Sequence, residues 1–140
     1  MTSIASLHEA FEAQAARTPD AVAVASIRGQ LSYRGLHHRG GRLARRLRSL
    51  GAGPEIPVAL LTDRSPEMVA ALLGILRSGG AYLPLDPTFP EPRLAFMLDD
   101  AWRGVRPRIL FTQSRLRERF PELEARAQHV VDLDRSTRSD

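Results

Sequence analysis

The sequence predicts an α/β domain built from βαβ units, with a mostly parallel sheet. Ile56–Leu61 is a continuous apolar run of the kind found in strands covered on both faces. Ala81–Leu85 is a second short strand, closed by prolines. Between them Pro66–Arg77 is apolar nearly all round (Met68, Val69, Ala70, Ala71, Leu72, Leu73, Ile75, Leu76), as a buried crossover helix should be.

The elements follow in order. Ser6-Leu7-His8-Glu9 is a capping box, and Leu7, Ala10, Phe11 and Ala15 recur at helical spacing, which predicts a helix over 6–17 ended by Thr18-Pro19-Asp20. Ala21–Ile27 reads as a strand, and Arg28-Gly29-Gln30 as a hairpin turn into Leu31-Ser32-Tyr33. From Tyr33 to about Leu50, the positions Leu36, Gly40, Leu43, Leu47 and Leu50 mark one helix face. Gly40-Gly41 costs this helix about 1 kcal/mol per glycine relative to alanine, which suggests close packing or a bend. Gly51-Ala52-Gly53-Pro54 ends it.

Ser65-Pro66-Glu67 starts the buried helix, with an N-cap, a proline at N1 and an acid in the first turn, and Gly79 ends it. Pro90-Glu91-Pro92 opens a helix through about Leu98 with Leu94, Met97 and Leu98 inward. Arg103–Pro107 is a loop, Arg108–Thr112 a strand, and Ser114 the cap of a short helix to Arg119. Val130–Leu133 is a last strand, and Asp134–Asp140 a polar, frayed tail.

With 140 residues, 43% hydrophobic and 26% charged, the chain has the size and composition of one soluble domain or part of a larger one. It has no cysteine, hence no disulfide or thiolate chemistry. All 20 basic residues are arginine, which excludes Schiff-base, phosphate-loop and general-base lysines from these residues. The start lacks signal-peptide character, and the longest apolar run is too short to span a membrane, so a cytoplasmic location without membrane association is expected.

Most candidate sites have a plainer explanation. Arg28, Arg34, Arg39, Arg42, Arg45, Arg46 and Arg48 lie in a stretch without acids, but no aromatic residues interleave them. A solvated face, or one pairing with acids elsewhere in a longer protein, is preferred to nucleic-acid binding. His37-His38 points two ways from a helix, and neither has a carboxylate four residues on, so no metal site is expected. Asp99-Asp100 diverges at a helix end. Asp63, Ser65 and Asp86 stand where α/β folds often place site residues. Capping accounts for Ser65, and a turn before Pro87 accounts for Asp86. Gly79-Gly80 ends a helix, so it offers carbonyls where a phosphate site needs N–H groups.

Five stretches, in order, resemble the adenylation domains of nonribosomal peptide synthetases, members of the adenylate-forming ligases. Leu7–Gln14 with Arg17–Ala23 resembles the domain entry, and Leu31-Ser32-Tyr33-Arg34-Gly35-Leu36 its first core motif. Arg64–Val69 and Leu76–Pro87 resemble the region of the second, and Phe89–Ala101 continues in register. The likeness covers about residues 7–134. Gly40-Gly41 departs from the family's usual alanine and asparagine, and Trp102–Pro107 is an altered loop.

The resemblance implies the N-terminal portion of the large AMP-binding domain, incomplete across residues 1–140, with 135–140 as tail. Complete members use ATP and magnesium to form an aminoacyl adenylate and then load a carrier thiol. The family's lysine-bearing phosphate loop, amino-acid pocket and C-terminal lid are absent from these residues. No catalytic, cofactor-binding or metal-binding residue is therefore carried over, and no cofactor is expected on this chain alone. Three functions follow as expectations: a catalytically silent fragment; half of a split enzyme completed by the remainder of the domain or synthetase on another chain; or a docking module using the arginine-rich helix.

Overall fold

The strand at the centre is β3 (Pro57–Leu61). It pairs in parallel with β4 (Ala81–Leu85), from Pro57↔Ala81 to Leu61↔Leu85. On its other side it pairs in parallel with β5 (Ile109–Thr112), at Ala59↔Leu110 and Leu60↔Phe111. Then β6 (His129–Asp132) pairs in parallel with β5, giving the order β4-β3-β5-β6. The computed structural model describes residues 13–26 and 29–136.

Before the sheet, residues 13–17 are helical; the predicted start of that helix lies outside the described residues. An antiparallel hairpin follows, β1 (Val22–Ser26) and β2 (Gly29–Ser32). Helix α1 (Tyr33–Ser49) is capped by Ser32, whose Oγ accepts the Gly35 N–H at 3.1 Å. The remaining helices are α2 (Pro66–Arg77), α3 (Glu91–Ala101), α4 (Ser114–Arg119), α5 (Pro121–Arg126) and α6 (Leu133–Ser136).

The apolar runs of β3 and β5 feed two cores because successive side chains point to opposite faces. Val58, Leu60, Ile109 and Phe111 meet Leu36, Leu43 and Leu47 of α1 and Ala70, Ala71 and Ile75 of α2. Ala59, Leu61 and Leu110 meet Leu94 and Leu98 of α3, with Trp102, Leu116, Phe120 and Leu123. The chain leaves β3 for β4, then returns past β3 to β5 and on to β6. Crossovers of one hand that run in opposite directions must lie on opposite faces. That is why α2 covers one face while α3, α4 and α5 cover the other.

Both glycine-ended helices close in the same way. At Gly79 (φ 84) and Gly51 (φ 95) the backbone enters the left-handed region. The Gly80 and Gly79 N–H groups then donate to the Ile75 and Leu76 carbonyls at 3.2 and 3.1 Å. Ala52 and Gly51 donate likewise to Leu47 and Arg48. This double bond pattern satisfies carbonyls that would otherwise lack partners.

Several local details differ from the sequence expectation. Gly29 and Gln30, read as part of the hairpin turn, are paired residues of β2. Ser114 is the first residue of α4 rather than its cap; the cap position is Gln113, and the Ser114 hydroxyl donates to Asp132 Oδ2 at 2.7 Å. Helix α5 is an addition to the predicted elements, because six residues with Leu123 as their buried apolar residue carry no periodic signal. Residues 134–136 continue α6 rather than fraying; 137–140 lie outside the described residues. Among the described residues no helix is long and apolar enough to cross a membrane.

Gly40 of α1 and Gly74 of α2 allow the two helices a close approach. A Cβ on Gly74 of α2 would stand 2.8 Å from Leu43 Cβ and 3.2 Å from the Gly40 carbonyl oxygen. A Cβ on Gly40 would stand 3.2 Å from Leu73 Cβ. We expect Gly74→Ala to destabilise the chain by about 1–3 kcal/mol in chemical denaturation, since the backbones would have to separate. Gly53→Ala, with nothing within 4 Å of its added methyl, should be neutral or stabilising by up to about 1 kcal/mol.

Candidate functional site

Open α/β sheets bind ligands outside the carboxyl ends of their strands, where successive connections depart to opposite faces. β3 is flanked by two such divergences. Its own connection leads to α2 on one face, while those of β4 and β5 lead to α3 and α4 on the other.

The gap between β3 and β5 is bridged. The Asp63 N–H donates to Gln113 Oε1 at 3.0 Å, and Arg115 ion-pairs with the Asp63 carboxylate. Gln113 is buried. The gap between β3 and β4 is open, and forms a cleft of about 590 Å³. Thr62, Asp63, Arg64 and Met68 line one side, and the segment from Pro84 to Phe89 the other.

Within the cleft, Asp86 folds back on its own turn. Its Oδ1 accepts the Thr88 N–H at 2.9 Å and the Thr88 hydroxyl at 2.7 Å. The backbone N–H first, the hydroxyl second and the charge of Arg64 more weakly hold its carboxyl below the usual 3.8. Ser65 caps α2, its Oγ accepting the Met68 N–H at 3.3 Å. Both residues thus have the turn and capping partners read from the sequence.

A second polar cluster closes the ends of β5 and β6. Asp132, with its side chain 4% exposed, accepts from the Ser114 hydroxyl, from Arg117 at 3.4 Å and, through Oδ1, from the Asp134 N–H at 3.0 Å. Asp134 Oδ2 accepts the Ser114 N–H at 3.0 Å. Arg117 also donates to Glu124 at 2.6 Å; that bond, followed by the one to Asp132, raises its pKa further. Asp63 is a candidate from sequence, but Gln113, Arg115 and this cluster are not. The contacts that join different strand ends span 15 to 50 positions of the chain, beyond any local pattern.

The other sequence candidates do not converge on the cleft. The His37 and His38 rings lie 6.4 Å apart and nearly perpendicular, on α1. Asp99 pairs with Arg126 at 2.9 Å. Of the arginine face, Arg34 pairs with Asp20 at 3.5 Å, Arg39 with Glu67 at 3.4 Å, and Arg48 donates to the Arg77 carbonyl at 2.9 Å.

This arrangement defines an open, doubly wound α/β layer with its crevice beside the first strand of the sheet. The AMP-binding enzyme family profile matches residues 11–139, and the chain belongs to that family. It is 44% identical over 133 residues to tyrocidine synthase 3 of Brevibacillus parabrevis, covering 95% of this chain and 2% of that protein. It is 46% identical over 128 residues to a dimodular nonribosomal peptide synthase of Bacillus subtilis (strain 168), covering 91% and 5%. The nonribosomal peptide synthetase FmoA3, solved with alpha-methyl-L-serine-AMP bound, superposes with a TM-score of 0.83 at 39% identity over 95% of this chain and 14% of its own. The N-terminal domain of FACL13 from Mycobacterium tuberculosis shares the fold, with a TM-score of 0.79 at 19% identity. The likeness to parts of nonribosomal peptide synthetases matches what the sequence motifs implied.

Two outcomes follow. In Thr88→Val the backbone N–H remains and the hydroxyl is lost, so the Asp86 pKa should rise only part of the way to 3.8. An NMR titration of the carboxyl checks this. Because the folded value is depressed, the turn's contribution is present above 3.8 and is lost as pH falls through the folded pKa. Asp132→Ala strands the Ser114 hydroxyl and the Asp134 N–H, and should cost about 1–3 kcal/mol in thermal or chemical unfolding.

Proposed function

We propose that these residues supply scaffold for an amino-acid-activating adenylation domain, one whose complete form makes an aminoacyl adenylate from ATP. On this reading the 140 residues by themselves do not catalyse that step. The carrying observation is the match over 95% of the chain to a synthetase crystallised with an aminoacyl-AMP.

Catalytic silence is supported by what the strand ends offer. Phosphoryl and adenylyl transfer needs preorganised donors around the phosphates. Here Pro66 has no N–H, the Met68 N–H is taken by Ser65, and the Ser114 N–H is taken by Asp134. Asp63, Asp132 and Asp134 add negative charge at these strand ends, and the chain has no lysine. On this reading the nucleotide clamp comes from outside these residues. The partner this implies is the rest of an adenylation domain, in the same polypeptide or on another.

The test is amino-acid-dependent ATP–pyrophosphate exchange. The isolated chain should give no exchange above buffer, whereas a complete adenylation domain carrying this segment in place of its own should retain it. Exchange by the isolated chain would overturn the scaffold reading. A folded chimera without exchange would overturn the assignment to an activating domain.

A further inference from the structure

Phe96 is the most exposed large apolar side chain among the described residues, at 70%. A single exposed phenylalanine is ordinary; its surroundings are not. Phe96 and Pro92 of α3 line a groove of about 340 Å³, whose other wall is Glu122 and Arg126 of α5. Glu91 and Asp99 complete the rim.

The groove is held open by two clamps between the helices. Glu91 Oε2 accepts the Glu122 N–H at 2.9 Å, and Arg126 Nε donates to Asp99 Oδ1 at 2.9 Å. Arg126 also donates to the Glu122 carbonyl at 2.8 Å and lies 3.8 Å from its carboxylate. The rim's one cation is thus engaged by its own neighbours. Three carboxylates against one guanidinium leave the rim two charges negative, on a chain whose formal net charge is +4.

We propose that the groove between α3 and α5 docks a basic amphipathic helix of a partner polypeptide. An apolar side chain of that helix seats against Phe96, and arginine or lysine side chains one turn away meet Glu91, Asp99 and Glu122. A groove between two helices suits a third helix read through spaced anchors. The aromatic anchor carries the affinity, and the acidic rim sets register and partner choice. The opposite charge of the rest of the chain makes the preference local: a basic partner is repelled elsewhere.

The probe is a synthetic helical peptide of leucine and arginine, titrated into the isotopically labelled 140-residue chain and followed by NMR. Its counterpart has glutamate at every arginine. The expected result is shifts centred on Pro92, Phe96 and Glu122 with the arginine peptide and none there with the glutamate peptide. Phe96→Ser should weaken binding at least about tenfold, and Glu122→Gln should reduce its salt dependence. Both side chains are exposed, so neither change threatens the fold. Equal or tighter binding of the glutamate peptide, shifts centred elsewhere, no binding, or unchanged affinity in Phe96→Ser would each overturn the proposal. So would self-association of the free chain abolished by Phe96→Ser, which would assign the groove to a second copy.

Discussion

The contact on which the other packing depends is the approach of α1 to α2 through Gly40 and Gly74. With no side chain at either position, Leu43 and Leu73 reach the opposing backbone. Leu36, Leu43 and Leu47 can then share one core with Ala70, Ala71 and Ile75 over β3 and β5. The propensity cost of Gly40-Gly41 within a helix, about 1 kcal/mol each, is offset by burial that a larger residue would prevent. Polar groups fasten the margin of the contact: Arg39 meets Glu67, Arg48 reaches the Arg77 carbonyl, and Arg77 reaches the His37 carbonyl at 3.4 Å. Part of the arginine-rich face is therefore a seam between helices.

With α2 held by α1, the turn from Leu76 to Pro87 becomes a fixed joint. The end of α2 is closed by N–H groups of the turn itself, which donate to its last carbonyls. The turn's work is to deliver β4 to the edge of the sheet and Asp86 to the mouth of the cleft. Pro84 can stand in β4 because an edge strand leaves one row of backbone groups without strand partners. The same turn leaves Tyr82 46% exposed. Stability and one wall of the cleft thus share one segment.

At the strand ends the place of the crevice coincides with polar groups that already have partners. β3 lies where a doubly wound sheet opens its crevice, and the Met68 and Asp63 N–H groups beside it are already used by Ser65 and Gln113. Buried polar groups need partners, and here the chain supplies its own. The chain spans 14% of the FmoA3 synthetase polypeptide that it matches.

Much of this was legible in the residues. Pro66–Arg77 and Ala81–Leu85 have the bounds their caps and prolines predicted, because capping and periodicity act within a few residues. The five motifs pointed to the family, and the continuous apolar runs implied a sheet covered on both sides. Strand order was not legible, nor which gap beside β3 stays open. The same holds for the ion pair of Arg115 with Asp63, the burial of Asp132 beneath Ser114 and Arg117, and the groove around Phe96. Those depend on register between strands and on contacts between helices far apart in sequence, and a local pattern carries no information about which distant partner completes it. From sequence alone came the kinds of elements and their kinship. The packed sheet settled where polar groups meet, because only folding brings the ends of β3, β5 and β6 side by side.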